Sequence, residues 1–343
     1  MSSRREFLKT SAWATGAAVA MSACATTPSQ AVSSVGSKIV NGDALKGPVY
    51  DLLSNPEHNK EVYAKIQGDL DLSKDRSGWF SGYVYAVRDG HKNVDLVGMS
   101  GLSHARLFKQ PDGSYRKVLR EVGLYTDLKS GEVLEEWKNP LNNETVKVVP
   151  IANDPFNQEL AAYFDLPPAY GGLNEEGVKA APKRIPLLLP WQQRGEQVHM
   201  ERHIHLYYPA ALQPEEWPRE SPGRFNRVSE FFSHYINAAD IQNADSTRLL
   251  YNGHWTRVTP WLPWMLMGQT QGHCEYQCYM GGGQDVEQML SRNVLDYIEK
   301  HYPKYMTAPG AEAWEQDSLS SICLLYTSPS PRDLSTYRMP SSA

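Results

Sequence analysis

Apolar and polar positions along this chain recur at two different periods, and the change from one to the other sketches the fold. Around Tyr50–Tyr63, Leu52, Leu53 and Val62 with Asn55-Pro56 suggest one or two short helices. Beyond them a period of two takes over. Trp79–Val87 is aromatic and β-branched, Arg88-Asp89-Gly90-His91 reads as a turn, and Val94–Met99 is a second apolar run, so a hairpin is predicted. Tyr115–Tyr125 sets Val118, Arg120, Val122 and Leu124 on one face of a strand and Leu119, Glu121 and Gly123 on the other. Lys129-Ser130-Gly131 turns that strand into Glu132–Trp137, and Asn139–Asn143 turns again into Thr145–Ile151. Strand patterns resume at Ile185–Leu189, Glu196–Tyr208, Phe225–Ile236, Thr247–Thr259 and His273–Met280. A closing helix is predicted over Asp285–His301, where Val286, Met289, Leu290, Val294, Leu295 and Ile298 share a face and Pro303 stops the run.

Strands joined by such short turns are antiparallel, because a parallel pair needs a long crossover. Asn153–Pro182, with Pro155, Pro167, Pro168, Gly171 and Gly172, reads as a long loop of the kind that often forms a lid. No repeat of fixed period occurs within residues 50–310. The pattern therefore predicts a mainly β fold: one large antiparallel domain over residues 46–322, barrel-like or a curved sandwich, with peripheral helices and a C-terminal helix. Two domains split at the Asn153–Pro182 loop are the alternative.

The ends depart from this pattern. Residues 1–24 open on Ser3-Arg4-Arg5-Glu6-Phe7-Leu8-Lys9, which resembles the twin-arginine export signal S-R-R-x-F-L-K, and continue into a weakly hydrophobic Ala-rich stretch. Met21-Ser22-Ala23-Cys24 looks like a lipoprotein box, with Cys24 the residue that would receive lipid; cleavage nearby to a soluble form is the other outcome. Residues 25–45 are small, polar and aperiodic, as a flexible linker would be. Export through the twin-arginine machinery, with lipid as the sole membrane attachment and the periplasm as destination, is the expectation. From Cys323 to Ala343 the chain turns Ser/Pro-rich without apolar period. Its codons can be written as the transposon-end adapter used to build sequencing libraries, so residues 323–343 are expected to be an artefact that replaces the natural sequence near Ile322.

Composition sharpens the picture once the ends are set aside. The whole chain has 343 residues, 34 basic and 39 acidic side chains and a net charge of −5. Without the three basic and one acidic residue before position 25, and the two and one beyond 322, 29 basic stand against 37 acidic side chains, a net −8. An acidic body without a dense basic cluster has no footprint for nucleic acid. Only Cys274 and Cys278 remain, so no disulfide framework supports the fold. On a strand these two thiols share a face about 13 Å apart, too far to bond. Two buried structural thiols fit better than a nucleophilic Cys-His pair with His273.

The twin-arginine pattern, Gly131-Glu132-Val133-Leu134-Glu135-Glu136-Trp137-Lys138-Asn139-Pro140, Asn153-Asp154-Pro155 and Trp261-Leu262-Pro263-Trp264-Met265 together resemble the family catalogued as domain of unknown function number 1838. The resemblance covers most of residues 50–310 and implies export and a shared fold, with no catalytic residues to carry over.

Two constellations carry candidate chemistry. In Gln197–Tyr208, period two puts His199, Glu201, His203 and His205 on one face and Met200, Ile204 and Leu206 on the other. Imidazoles and a carboxylate suit a transition metal (zinc, iron or manganese), which would make the chain a metal-dependent hydrolase or oxidoreductase; a solvated strand face explains the same residues more simply. Trp79, Trp137, Trp255, Trp261 and Trp264 supply enough aromatic surface to line a pocket for a small, partly apolar ligand, or to fill a core. Asp127, Glu132, Glu135 and Glu136 read as an exposed hairpin edge, and Gly281-Gly282-Gly283 as a flexible link. The leading expectation is a binding protein with an aromatic-lined pocket, and the metal enzyme is the alternative.

Overall fold

Asn55 starts the first helix: its side chain accepts from the backbone N–H groups of Glu57 and His58, and Pro56 occupies a first-turn position where no donor is needed. The computed structural model describes residues 44–166 and 183–316. This helix, α1 (Pro56–Gln67), precedes three long strands, β1 (Arg76–Val87), β2 (Val94–Lys109) and β3 (Tyr115–Thr126). Short strands follow: β4 (Glu136–Lys138), β5 (Thr145–Lys147), β6 (Ile151–Asn153), β7 (Gln158–Leu160), β8 (Tyr163–Leu166), β9 (Lys183–Pro186) and β10 (Trp191–Arg194). Then come β11 (Gln197–Pro209), β12 (Phe225–Asn237), the one-turn helix α2 (Ala238–Ile241), β13 (Tyr251–Thr259), β14 (His273–Gly282), α3 (Val286–Met289) and α4 (Arg292–His301).

Ten strands form one sheet in the order β10-β11-β12-β13-β14-β1-β2-β3-β6, with β7 also on β3, and every ladder in it is antiparallel. The mainly antiparallel β reading with few helices holds, and the one large sheet is not closed into a barrel. It nevertheless curls strongly. Tyr125 on β3 and Tyr276 on β14 lie three strands apart, about 14 Å on a flat sheet, yet their hydroxyls meet at 2.8 Å. The Gln158 carbonyl on β7, in the amide orientation that satisfies both groups, accepts from Arg202 Nη1 and Nη2 on β11 at 2.9 and 3.1 Å.

What prevents closure is α1. Asn59 Oδ1 accepts from Leu189 N and Trp191 Nε1 at 3.1 and 2.6 Å beside β10, while Lys60 Nζ donates to Gly113 O at 2.7 Å beyond β2. Val62, Tyr63 and Ile66 bury against Leu107, Leu160, Trp191, Val198 and Ile236 from both sides of the gap. A helix about 10 Å across cannot fit where a ladder needs edges about 4.8 Å apart.

The outer face of β1–β3 is covered from the C-terminal side. Trp79, Leu102, Val122 and Leu124 pack against Val286, Leu290, Val294, Leu295 and Ile298. The predicted face alternation of β3 is present here. The predicted single helix Asp285–His301 is instead α3 and α4, because Leu290 is extended (φ −112°, ψ 152°) and Ser291 restarts the chain as the residue before α4. Thr247–Leu250, expected as strand, precedes β13: Leu249 is fully buried and its N–H donates to Lys65 O on α1 at 2.9 Å. Gly281-Gly282 belong to β14, paired with Trp79 and Gly78, and are not a link; a Cβ on Gly281 would strike the Trp79 indole. The expected loop Asn153–Pro182 carries β7 and β8, and its residues 167–182 lie outside the described residues. So do residues 1–43, with Arg4, Arg5 and Cys24, and residues 317–343.

Candidate functional site

Alternation along the long strands decides which side chains meet inside the curl. Register places Arg202 (β11) beside Phe232 (β12) and Trp255 (β13), and one step further along sets Glu230 (β12) beside Arg257 (β13) and Tyr276 (β14). Phe80 on β1 meets the Trp255 ring edge-on at 5.6 Å, and Phe232 stacks on it at 6.3 Å. The room for Phe80 comes from two glycines: a Cβ on Gly101 or Gly123 would run into that ring.

Charged groups interrupt this aromatic lining. Arg257 Nη1 lies 3.5 Å from Glu230 Oε1. Across the curl on β3, Glu121 accepts from Asn153 Nδ2 at 3.0 Å, and Lys117 Nζ donates to Gln67 Oε1 at 2.7 Å. Arg202 Nη1 donates to Tyr63 OH at 2.7 Å. Arg76 donates to the carbonyls of Leu249 and Lys65 at 2.6 and 3.3 Å. Burial pushes the Glu121 carboxyl up, the Lys117 ammonium down to about 7 with help from Arg202, and the His234 imidazole down to about 3. Burial also works against the charge on Arg257, but Glu230 and the nearby tyrosines outweigh it and hold the guanidinium protonated.

Two observations mark this region as more than core. Arg257 sits mid-sheet on the concave side, yet its side chain is 28% exposed, and that of Glu230 17%. Solvent therefore reaches these two side chains. Three polar atoms of this face are also buried without a hydrogen-bond partner: Trp255 Nε1, Arg257 Nε and His234 Nδ1. Such atoms normally find partners, so each is a position where a bound molecule would be stabilised.

Four of the five tryptophans come together: Trp137, Trp255, Trp261 and Trp264 belong to one buried cluster, in which Trp137 and Trp264 pack on each other at 5.8 Å and the Trp261 indole N–H donates to Thr270 O at 2.8 Å. Trp79 lies on the opposite face of the sheet, under α3 and α4, and cannot share a pocket with Trp255. Strand alternation put it there: its even-numbered neighbours on β1 face inward.

The His/Glu face of β11 exists as predicted but looks outward. His203 and Glu201 are 48% and 43% exposed. Glu201 Oε2 is within hydrogen-bond distance of His203 Nε2 at 3.3 Å, His199 Nε2 lies 3.3 Å from Glu201 Oε1 but is buried without a hydrogen-bond partner, and His205 Nδ1 is 3.0 Å from Ser229 Oγ. His199 and His203 are four residues apart along a strand, about 13 Å, so one ion cannot take both. Among the described residues, no group of three or more His, Cys, Asp or Glu is placed to hold a metal ion. The face is instead aromatic and solvated, with His199 stacked on Tyr235 and His203 edge-on to Phe231.

Cys274 and Cys278 are fully buried on β14, and burial pushes both thiols up to about 12, which leaves them protonated and inert. Asp127 accepts from the backbone N–H groups of Lys129 and Ser130 in its turn, a structural task. The residues that sequence reasoning missed are Lys117, Arg202, Glu230 and Arg257. Their signal was available: each is a charge at a position whose i±2 neighbours are apolar, aromatic or hydroxyl-bearing.

A family model described as protein of unknown function (DUF1838) matches residues 74–326. The matched span contains the whole ten-stranded sheet and begins after α1. A search of curated proteins finds no match.

Proposed function

The chain belongs to this family, DUF1838, and from that membership, which brings a fold and no reaction, we propose that it is an exported binding protein holding a small, partly apolar molecule on the concave face of its sheet. The observation that carries the reading is the combination at Trp255 and Arg257: unpartnered buried donors beside a charged side chain that solvent reaches, all walled by Phe80, Phe232 and Trp255. Apolar walls with a few convergent polar groups are the usual composition of a small-molecule site.

The test uses N-phenyl-1-naphthylamine, a neutral apolar probe that brightens in a dry site. Saturable one-to-one binding is expected, weakened about tenfold by Ile204→Trp, which puts a large ring on the same inner face next to Glu230. Absence of saturable binding to the wild type, or indifference to Ile204→Trp, refutes the reading.

Export and anchoring belong to the same proposal and rest on the S-R-R-x-F-L-K pattern and the small residues before Cys24. No helix among the described residues is long and apolar enough to cross a membrane. Cys24→Ser is expected to move the protein from the membrane to the soluble periplasmic fraction on cell fractionation, and Arg4→Lys with Arg5→Lys to retain it in the cytoplasm. An unchanged distribution in both variants overturns this part.

A further inference from the structure

We propose that the molecule held in the hollow is a small organic carboxylate whose acid group docks between the Trp255 indole N–H and the Arg257 guanidinium; this rests on the reading of the hollow as a binding site. Trp255 and Arg257 are two residues apart on β13, so their side chains leave the same face about 7 Å apart along the strand. Both unpartnered atoms, Trp255 Nε1 and Arg257 Nε, carry an obligatory N–H and cannot accept a hydrogen bond. Trp255 is only 8% exposed, so water does not relieve its donor. Two donors without acceptors select a ligand end that offers oxygens and no hydrogens, and a carboxylate presents two such oxygens.

Charge points the same way. The concave face carries Arg76, Arg202 and Arg257 against Glu230, while burial drives both Glu121 and Lys117 toward their neutral forms. The contact from Glu230 to Arg257, at 3.5 Å, is made by Nη1 and leaves the buried Nε–H without a partner. A ligand bearing one negative charge therefore meets an excess of cations, while Phe80 and Phe232 on either side of Trp255 supply the surface for an apolar remainder. A neutral amide of the same shape brings hydrogens to a place that already has donors and none of the charge.

Calorimetric titration of the full-length protein with phenylacetate and with phenylacetamide tests this. Phenylacetate is expected to bind at least about tenfold more tightly. Trp255→Phe keeps the ring and removes one donor; it should reduce phenylacetate affinity several-fold and leave phenylacetamide unchanged. Arg257→Gln should erase the preference, and because it strands Glu230 and can unfold the protein, Trp255→Phe decides if that variant does not fold. Equal affinity for acid and amide overturns the carboxylate and leaves the hollow standing. If neither binds while the naphthylamine probe does, the carboxylate is again overturned; if the probe also fails, both readings fall together.

Discussion

Lowering the pH from 6.5 to 3 is expected to cost the wild-type protein about 4 kcal/mol more stability than it costs a His234→Phe variant. His234 is 3% exposed, sits opposite Met200 on β11 and packs its ring 4.7 Å from that of Tyr251. Burial pushes its pKa down to about 3, while a backbone hydrogen bond with Met200 offsets only part of that, and Arg202, Arg76 and Lys117 disfavour a further positive charge. In the unfolded chain the imidazole titrates near 6.5. Between these values the unfolded state binds a proton that the folded state refuses, so stability falls as pH falls through that window. Above about 6.5 both states are neutral and the residue contributes no slope. Urea melts at half-unit pH steps measure the difference. Parallel curves for wild type and His234→Phe between pH 6.5 and 3 would show that His234 is not held neutral.

Trp264→Ala is expected to destabilise the protein by roughly 3–5 kcal/mol, the range for emptying a large aromatic site in a packed core. Trp264 is 1% exposed on a short 3₁₀ turn, Pro263–Met265, between the rings of Tyr125 at 5.2 Å and Trp137 at 5.8 Å. Asn139 pins that turn by donating to Met265 O at 2.8 Å, so the backbone cannot collapse into the space left behind. The indole N–H has no partner, which makes Trp264→Phe informative: it keeps much of the packing and removes a buried, unsatisfied donor. That variant should cost less than about 1.5 kcal/mol. Equilibrium denaturation of both variants checks the pair, and a loss below about 1 kcal/mol for Trp264→Ala would mean that this end of the curl is not tightly packed.

Much of this architecture is legible in the order of residues. Alternation on β3 is readable because Val118, Val122 and Leu124 recur every second position or multiples of it, and the α3–α4 region because its apolar residues recur at helical spacing. The break at Leu290 was not readable: the side chains keep one face while the backbone bends to follow a sheet whose shape is not local information. The candidate site was half legible. Trp255 was singled out, but Arg257, two positions along on the same inward face, was not, because a charge on a strand is ordinarily a sign of solvent. The outward His203 and Glu201 were the more conspicuous chemistry for the same reason.

By itself the sequence determined which side chains share a face, that the strands run antiparallel, and that the family is shared with others of the same pattern. Only the tertiary structure decided which face looks inward. Period two separates His199 from Met200 and Trp79 from Phe80, but it is symmetric: nothing in it says toward which side a sheet will curl. That direction is set by contacts far apart in the chain. These are the pairing of β1 with β14, the Tyr125–Tyr276 hydroxyls meeting across three strands, and α1 lodged between the two edges. Those contacts turn Trp255 and Arg257 to the concave side and leave His203 and His205 of β11 exposed.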